Sequence, residues 1–147
     1  MCTLIHEEET KAKKAKLKST NNVGWKIVSV TGRRYFAPMQ KLYQYSVGKN
    51  VDTKSVLRYS WRGRPEVTAG VFHLFNTRKI GREIINAMNC HDYYKAKTLK
   101  LVKVLYDKED FYCTGEGSNF AYFLQKILDK YKNNSTCVKA FTFATEN

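Results

Sequence analysis

The chain has 147 residues, 43% hydrophobic and 14% aromatic, which excludes a disordered tail and suits one domain with a real core. Twenty-six lysines and arginines against thirteen acids leave a formal charge of +13. No apolar run approaches the ~20 residues of a membrane-spanning helix and no signal peptide is visible, so a membrane protein is not expected and the location predicted is intracellular.

The charge is uneven. Lys11 to Arg64 holds fourteen basic residues and one acid, Asp52, whereas the rest is close to neutral. Such asymmetry points to an anionic partner, with nucleic acid, a nucleotide or an acidic protein surface as the classes.

Met1 to Glu9 reads as a short extended segment closed by an acidic triplet. In Lys11 to Lys18, Lys11, Lys13, Lys14, Lys16 and Lys18 surround a single sizeable apolar group, Leu17. Residues 1–22 are therefore expected to be a flexible basic arm, either ordering on an anion or serving as a solvated tether. The folded domain is expected over 23–147. Trp25 to Val30 is a strand, Thr31-Gly32 a turn, and Arg33 to Phe36 a second strand or its extension. Leu42 to Val47 alternates as a strand, with Tyr43, Tyr45 and Val47 on one face. Val56 to Trp61 is another, with Tyr59 and Trp61 opposite Arg58. A basic loop, Arg62 to Pro65, follows.

Val71 to Phe75 is an apolar strand that breaks at Asn76-Thr77. Helical spacing begins at once, in Ile80, Ile84, Ala87 and Met88. Asn89 to Lys97 is irregular, and Thr98 to Tyr106 is a long strand. Asp107 to Asp110 turns the chain, so that Phe111 to Cys113 pairs back before a glycine loop, Thr114 to Ser118. From Asn119 to Lys132, six apolar positions fall in helical phase, with Ser118 or Asn119 as N-cap. Val138 to Phe143 is a last edge strand.

The order GWKIVSV, RRYFAPMQKLYQYSVGKNV, AGVFHLFNTRKIGREI and LKLVKVLYDKEDFYCTGEG resembles a loose group of small proteins from phages, large DNA viruses and bacteria, mostly of unknown function. The likeness covers about residues 23 to 118 and rests on glycines and apolar positions. It implies a viral accessory protein, placed in the host cytoplasm or the virion. The strand order is also similar to the scaffold of ADP-ribosyltransferases, which bind a dinucleotide between small sheets. Their catalytic pattern is absent: the strand reads WKIVSV, the second element Phe75-Asn76-Thr77, and Glu116 falls in the glycine stretch. The resemblance thus implies nucleotide or nucleic-acid binding without catalysis, and no enzyme is expected.

Two basic groups are candidate phosphate sites. Arg78, Lys79 and Arg82 surround a helix start whose free amides attract anions. Arg33, Arg34, Arg58, Arg62 and Arg64 offer bidentate phosphate contacts, with Tyr35, Tyr59 and Trp61 as stacking rings. The five lysines of the arm add to them. No metal or cofactor is expected, because Cys2, Cys90, Cys113 and Cys137 stand far apart without a ligand spacing. His73 is either a satisfied core histidine or a pocket residue. The residues therefore point to a single α+β domain, with a twisted, mostly antiparallel sheet and one or two packed helices. Its expected role is to bind an anionic ligand, nucleic acid ahead of a nucleotide. The alternative is an interaction or inhibitor module that sets its basic face on an acidic host protein.

Overall fold

The structure, a computed structural model, describes residues 2–38, 43–61, 63–92, 94, 97–118 and 120–144. In chain order the elements are β1 (Cys2–Ile5), α1 (Glu7–Lys16), β2 (Asn22–Thr31), β3 (Arg34–Phe36), β4 (Asn50–Val51), β5 (Leu57–Trp61), β6 (Arg64–Ala69) and β7 (Phe72–Phe75). There follow α2 (Arg78–Asn89), β8 (Leu99–Tyr106), a 3-10 turn at Lys108–Asp110, β9 (Phe111–Ser118), α3 (Tyr122–Leu128), β10 (Ser135–Val138) and β11 (Ala140–Phe143). The described strands form one antiparallel sheet in the order β4-β11-β8-β2-β7-β10-β9-β1-β6-β5, with β3 on β2. The chain is a single-domain α+β fold whose sheet curls into a half-barrel.

The curl follows from one joint. β10 and β11 stand four places apart in the sheet, yet Lys139 alone connects them. Four strand spacings span about 19 Å in a flat sheet, whereas two Cα steps reach only about 7 Å. The sheet closes that gap by rolling. Phe141 of β11 then meets Phe72 of β7 edge-to-face, at 4.9 Å between ring centroids.

Each face has its own core. Val28, Phe72, Leu74, Val102, Val104, Val138 and Phe141 fill one. Ile27, Phe75, Ile80, Ile84, Leu124 and Leu128 fill the other, under α2 and α3. The period-3.6 stripe of α2 buries Ile80, Ile84 and Met88, and Thr77 caps it by accepting a hydrogen bond from Ile80 N at 3.2 Å.

Residues 2–22 are built into the fold, contrary to the free arm expected over 1–22. β1 is an interior strand, paired with β9 on one side and β6 on the other, and all four of its residues are buried. α1 lies against the first face, and its inward stripe is His6, Thr10, Lys13 and Leu17, at helical spacing. Thr10 Oγ1 donates to Thr114 O at 3.2 Å and accepts from Thr114 N at 3.1 Å. Lys13 Nζ donates to Asn76 Oδ1 at 3.2 Å and to Thr136 Oγ1 at 2.7 Å, while Leu17 packs on the core. Polar bonds hold this helix, so a count of apolar residues underestimates it.

Other expectations also shift. The residues after Gly63 form β6, which pairs with β5 as a hairpin, so only the turn is loop. Thr114 to Ser118 is the second half of β9, and β9 pairs with β10 and β1 instead of turning back on β8. Gly115 is required there because a Cβ would lie 1.8 Å from Leu4 O of β1. The segment 138–143 splits between β10, an interior strand, and β11. The second helix is shorter than 119–132, and its N-cap residue is Ala121. Of the strand expected at 42–47, Leu42 lies outside the described residues. Gln44 forms one bridge with Phe36, while Tyr45 is buried and Val47 fully exposed.

Candidate functional site

The basic residues do not converge on one surface. Arg33 and Arg34 stand exposed at the β2–β3 turn, while Arg58 and Arg64 sit on β5 and β6 at the far end of the strand order. Arg62 lies outside the described residues, as does the side chain of Trp61. Arg58 pairs with Glu7 at 3.3 Å and reaches Tyr112 Oη at 3.4 Å. Arg64 pairs with Glu116 at 3.7 Å. Tyr59 is exposed on the same edge strand rather than turned into the core. These two arginines tie the β5–β6 hairpin to the start of α1 and to β9, and they already have anions.

Arg78, Lys79 and Arg82 do gather at the start of α2, all exposed. Arg78 lies over the Trp25 ring at 5.9 Å and Lys79 over the Tyr131 ring at 5.8 Å. The helix start leaves fewer amides free than the sequence implies. Thr77 takes one of the amides, and Gly81 N donates to Thr77 O at 3.3 Å. Asn76 faces away into a polar knot with Lys13, Thr114, Asn133 and Thr136.

The lysines of α1 divide. Burial lowers the Lys13 ammonium to about 8 from 10.5, and its two hydrogen bonds give it a structural role. Lys11, Lys14, Lys16 and Lys18 remain exposed, and none forms an ion pair within the described residues.

The structure also brings together a site that the sequence does not announce. β2 and β7 pair only at Trp25 and Phe75, then splay. A cavity of about 480 Å³ opens between them. Tyr43 and Tyr45 reach it from the chain after β3, which is held by Ala37 N to Tyr43 O and Tyr45 N to Tyr35 O, 2.9 and 2.8 Å. Lys26 lies at the split. Its ammonium donates to His73 O at 3.2 Å and sits 5.3 Å from the Tyr45 ring centroid, 5.9 Å from Phe141 and 6.0 Å from Phe72. Burial brings Lys26 down to about 8 and pushes the Tyr45 phenol up. In WKIVSV, Lys26 looks like the polar face of an ordinary strand, and only the non-local splay makes it a cavity residue.

His73 proves to be a satisfied histidine on this wall: Nδ1 lies 2.9 Å from Thr3 Oγ1 and 3.4 Å from Cys137 Sγ. Cys113 and Cys137 are buried cross-strand neighbours that form no disulfide. Asp107, Glu109 and Asp110 bring their carboxylates together around the 3-10 turn, but Lys49 already lies 3.6 Å from Asp110 and nothing further marks a cation site. Among the described residues no helix is long and apolar enough to cross a membrane.

The chain matches no protein-family model, no curated protein and no solved structure.

Proposed function

We propose that the protein binds nucleic acid without catalysis, using the outer lysines of α1 as its main contact with phosphate. The observation that carries this reading is the way α1 is held. Thr10, Lys13 and Leu17 fix one side of the helix to the sheet, leaving Lys11, Lys14 and Lys16 exposed on a supported element and Lys18 exposed just beyond it, where its N donates to Asn22 Oδ1. A helix anchored in this way presents charge without the entropy loss of ordering a free arm. Arg33, Arg34 and Arg82 add exposed charge elsewhere and serve longer strands. The resemblance of its sequence pattern to small proteins of phages, large DNA viruses and bacteria supports a viral accessory role as the setting, in the host cytoplasm or the virion.

Phosphate neutralisation releases counterions, so affinity should fall steeply with salt and depend little on sequence. The test is fluorescence anisotropy with labelled 20-nucleotide DNA and RNA of mixed sequence, between 50 and 200 mM salt. Replacing Lys11, Lys14, Lys16 and Lys18 together by glutamine should reduce the slope of log affinity against log salt by about 3 to 4. Affinity that ignores salt, or survives the four substitutions, would overturn the reading. Selective binding to an acidic protein, with none to either nucleic acid, would replace it by the alternative class of partner.

A further inference from the structure

The Lys26 cavity is separate from the α1 lysines and has its own unanswered charge. Among the described residues, the Lys26 ammonium makes one hydrogen bond, to a backbone carbonyl, and no ion pair. The carboxylate on the cavity wall, Asp52, is engaged in its own turn, where Oδ1 accepts from Lys54 N at 3.0 Å. The remaining titratable groups on that wall are Tyr43, Tyr45, Lys54 and His73, and none supplies an anion near neutral pH. The Lys26 side chain is partly buried and the Cys137 thiol favours its charge, but no ion pair reaches the ammonium, and three aromatic rings and a carbonyl offset only part of the cost of desolvating it.

The rest of the wall is mainly apolar, with Phe75, Ile84, Met88, Phe120 and Leu124 at its deep end. A cavity of about 480 Å³ falls in the range of small-molecule sites, roughly 300–1,000 Å³. We propose that the cleft between β2 and β7 binds a small apolar monocarboxylate, its carboxylate on the Lys26 ammonium and its hydrocarbon body against Tyr45 and the aliphatic wall. A single ammonium matches one negative charge. A nucleotide phosphate would bring two charges and several oxygens to a split that holds one ammonium, because the other lysine of the wall, Lys54, stands exposed. The monocarboxylate is therefore the better fit.

The experiment uses the full chain with two probes of one shape, 2-naphthoate and the neutral 2-naphthalenemethanol, followed by probe anisotropy and calorimetry. The expected result is binding of the acid about tenfold or more tightly than the alcohol, the scale of one charge-assisted hydrogen bond. Lys26→Met should abolish that preference while the alcohol still binds. Val51→Trp, at an exposed position on the cavity rim, should weaken both probes by narrowing the mouth. Equal affinity for the two probes, binding of neither, or a preference that survives Lys26→Met would overturn the proposal. Should Lys26→Met fail to fold, Val51→Trp decides: acid binding that it leaves unchanged lies outside the cleft. None of these outcomes depends on whether the α1 lysines bind nucleic acid.

Discussion

Deletion of residues 1–20 is expected to destroy cooperative folding, although the composition of that segment suggests a dispensable tail. β1 contributes four buried residues, among them Leu4 and Ile5 at 8% and 5% exposure. Burial of an aliphatic side chain of that size stabilises by about 1.5–3 kcal/mol. Deletion also removes the ladders to β9 and β6, bares both of those strands, and strips Asn76 and Thr136 of the Lys13 ammonium. The sum is on the order of 5 kcal/mol or more, against the 5–15 kcal/mol that holds a typical domain together. Urea titration followed by far-UV circular dichroism should therefore show a broad, weak transition for the truncated chain. The four-lysine glutamine variant should unfold as the parent does, which separates loss of charge from loss of structure. A truncated chain that unfolds with the parent's midpoint and slope would refute the argument, because β1 would then contribute nothing to the sheet.

Further outcomes follow from single positions. Gly115→Ala should destabilise by several kcal/mol or prevent folding, since its Cβ would overlap Leu4 O; a thermal melt near the parent's would show that β1 shifts freely. Leu128→Ala, at the fully buried last position of α3, should cost about 2–5 kcal/mol in urea titration. Stability should rise as pH goes from about 8 toward 10, because half-buried Lys13 and Lys26 lose their protons near 8 while their unfolded counterparts hold them to 10.5. Above 10 the sign reverses, since burial raises Tyr45, and raises Tyr106 to about 12, so the unfolded phenols ionise first. Urea midpoints from pH 7 to 11 test this, and a rise that persists in the Lys13→Met, Lys26→Met double variant would assign it to general charge repulsion.

Much of the fold is legible in the sequence where local signals dominate. Thr77, the apolar phase of Ile80, Ile84 and Met88, and the runs at Trp25 to Val30 and Leu99 to Tyr106 each describe their element without help from elsewhere. Legibility fails where a distant backbone sets the conformation. Thr114 to Ser118 has the glycines of a loop, but those glycines make room in a strand: β1 presses on Gly115, and Phe120 and Ser135 crowd Gly117. α1 escapes a search for apolar stripes because its inward residues are His6, Thr10 and Lys13. Its acidic first turn and basic last turn do complement the helix dipole, and they are the signal that reveals it. The arginines are legible as charge but not as partners, since Glu7 and Glu116 reach Arg58 and Arg64 only through the sheet. The Lys26 cavity has no local signature, because it exists where two strands fail to pair.

The one-residue joint at Lys139 has a consequence for how the chain matures. Lys139 N donates to Asp110 O, its carbonyl accepts from Asp52 N, and its ammonium bridges Lys54 O and Gly70 O at 2.7 and 2.5 Å. The roll of the sheet therefore cannot close until β11, which follows every other described strand, has been made. β1 precedes both of its partners: it has none until β6 emerges and is not enclosed until β9 does, more than a hundred residues later. Such long-range pairing slows folding, and an unpaired apolar strand invites association in the interval. Expression should respond to this order of events: a fusion extending the C-terminus is expected to delay closure less than one that holds the first residues away from the sheet.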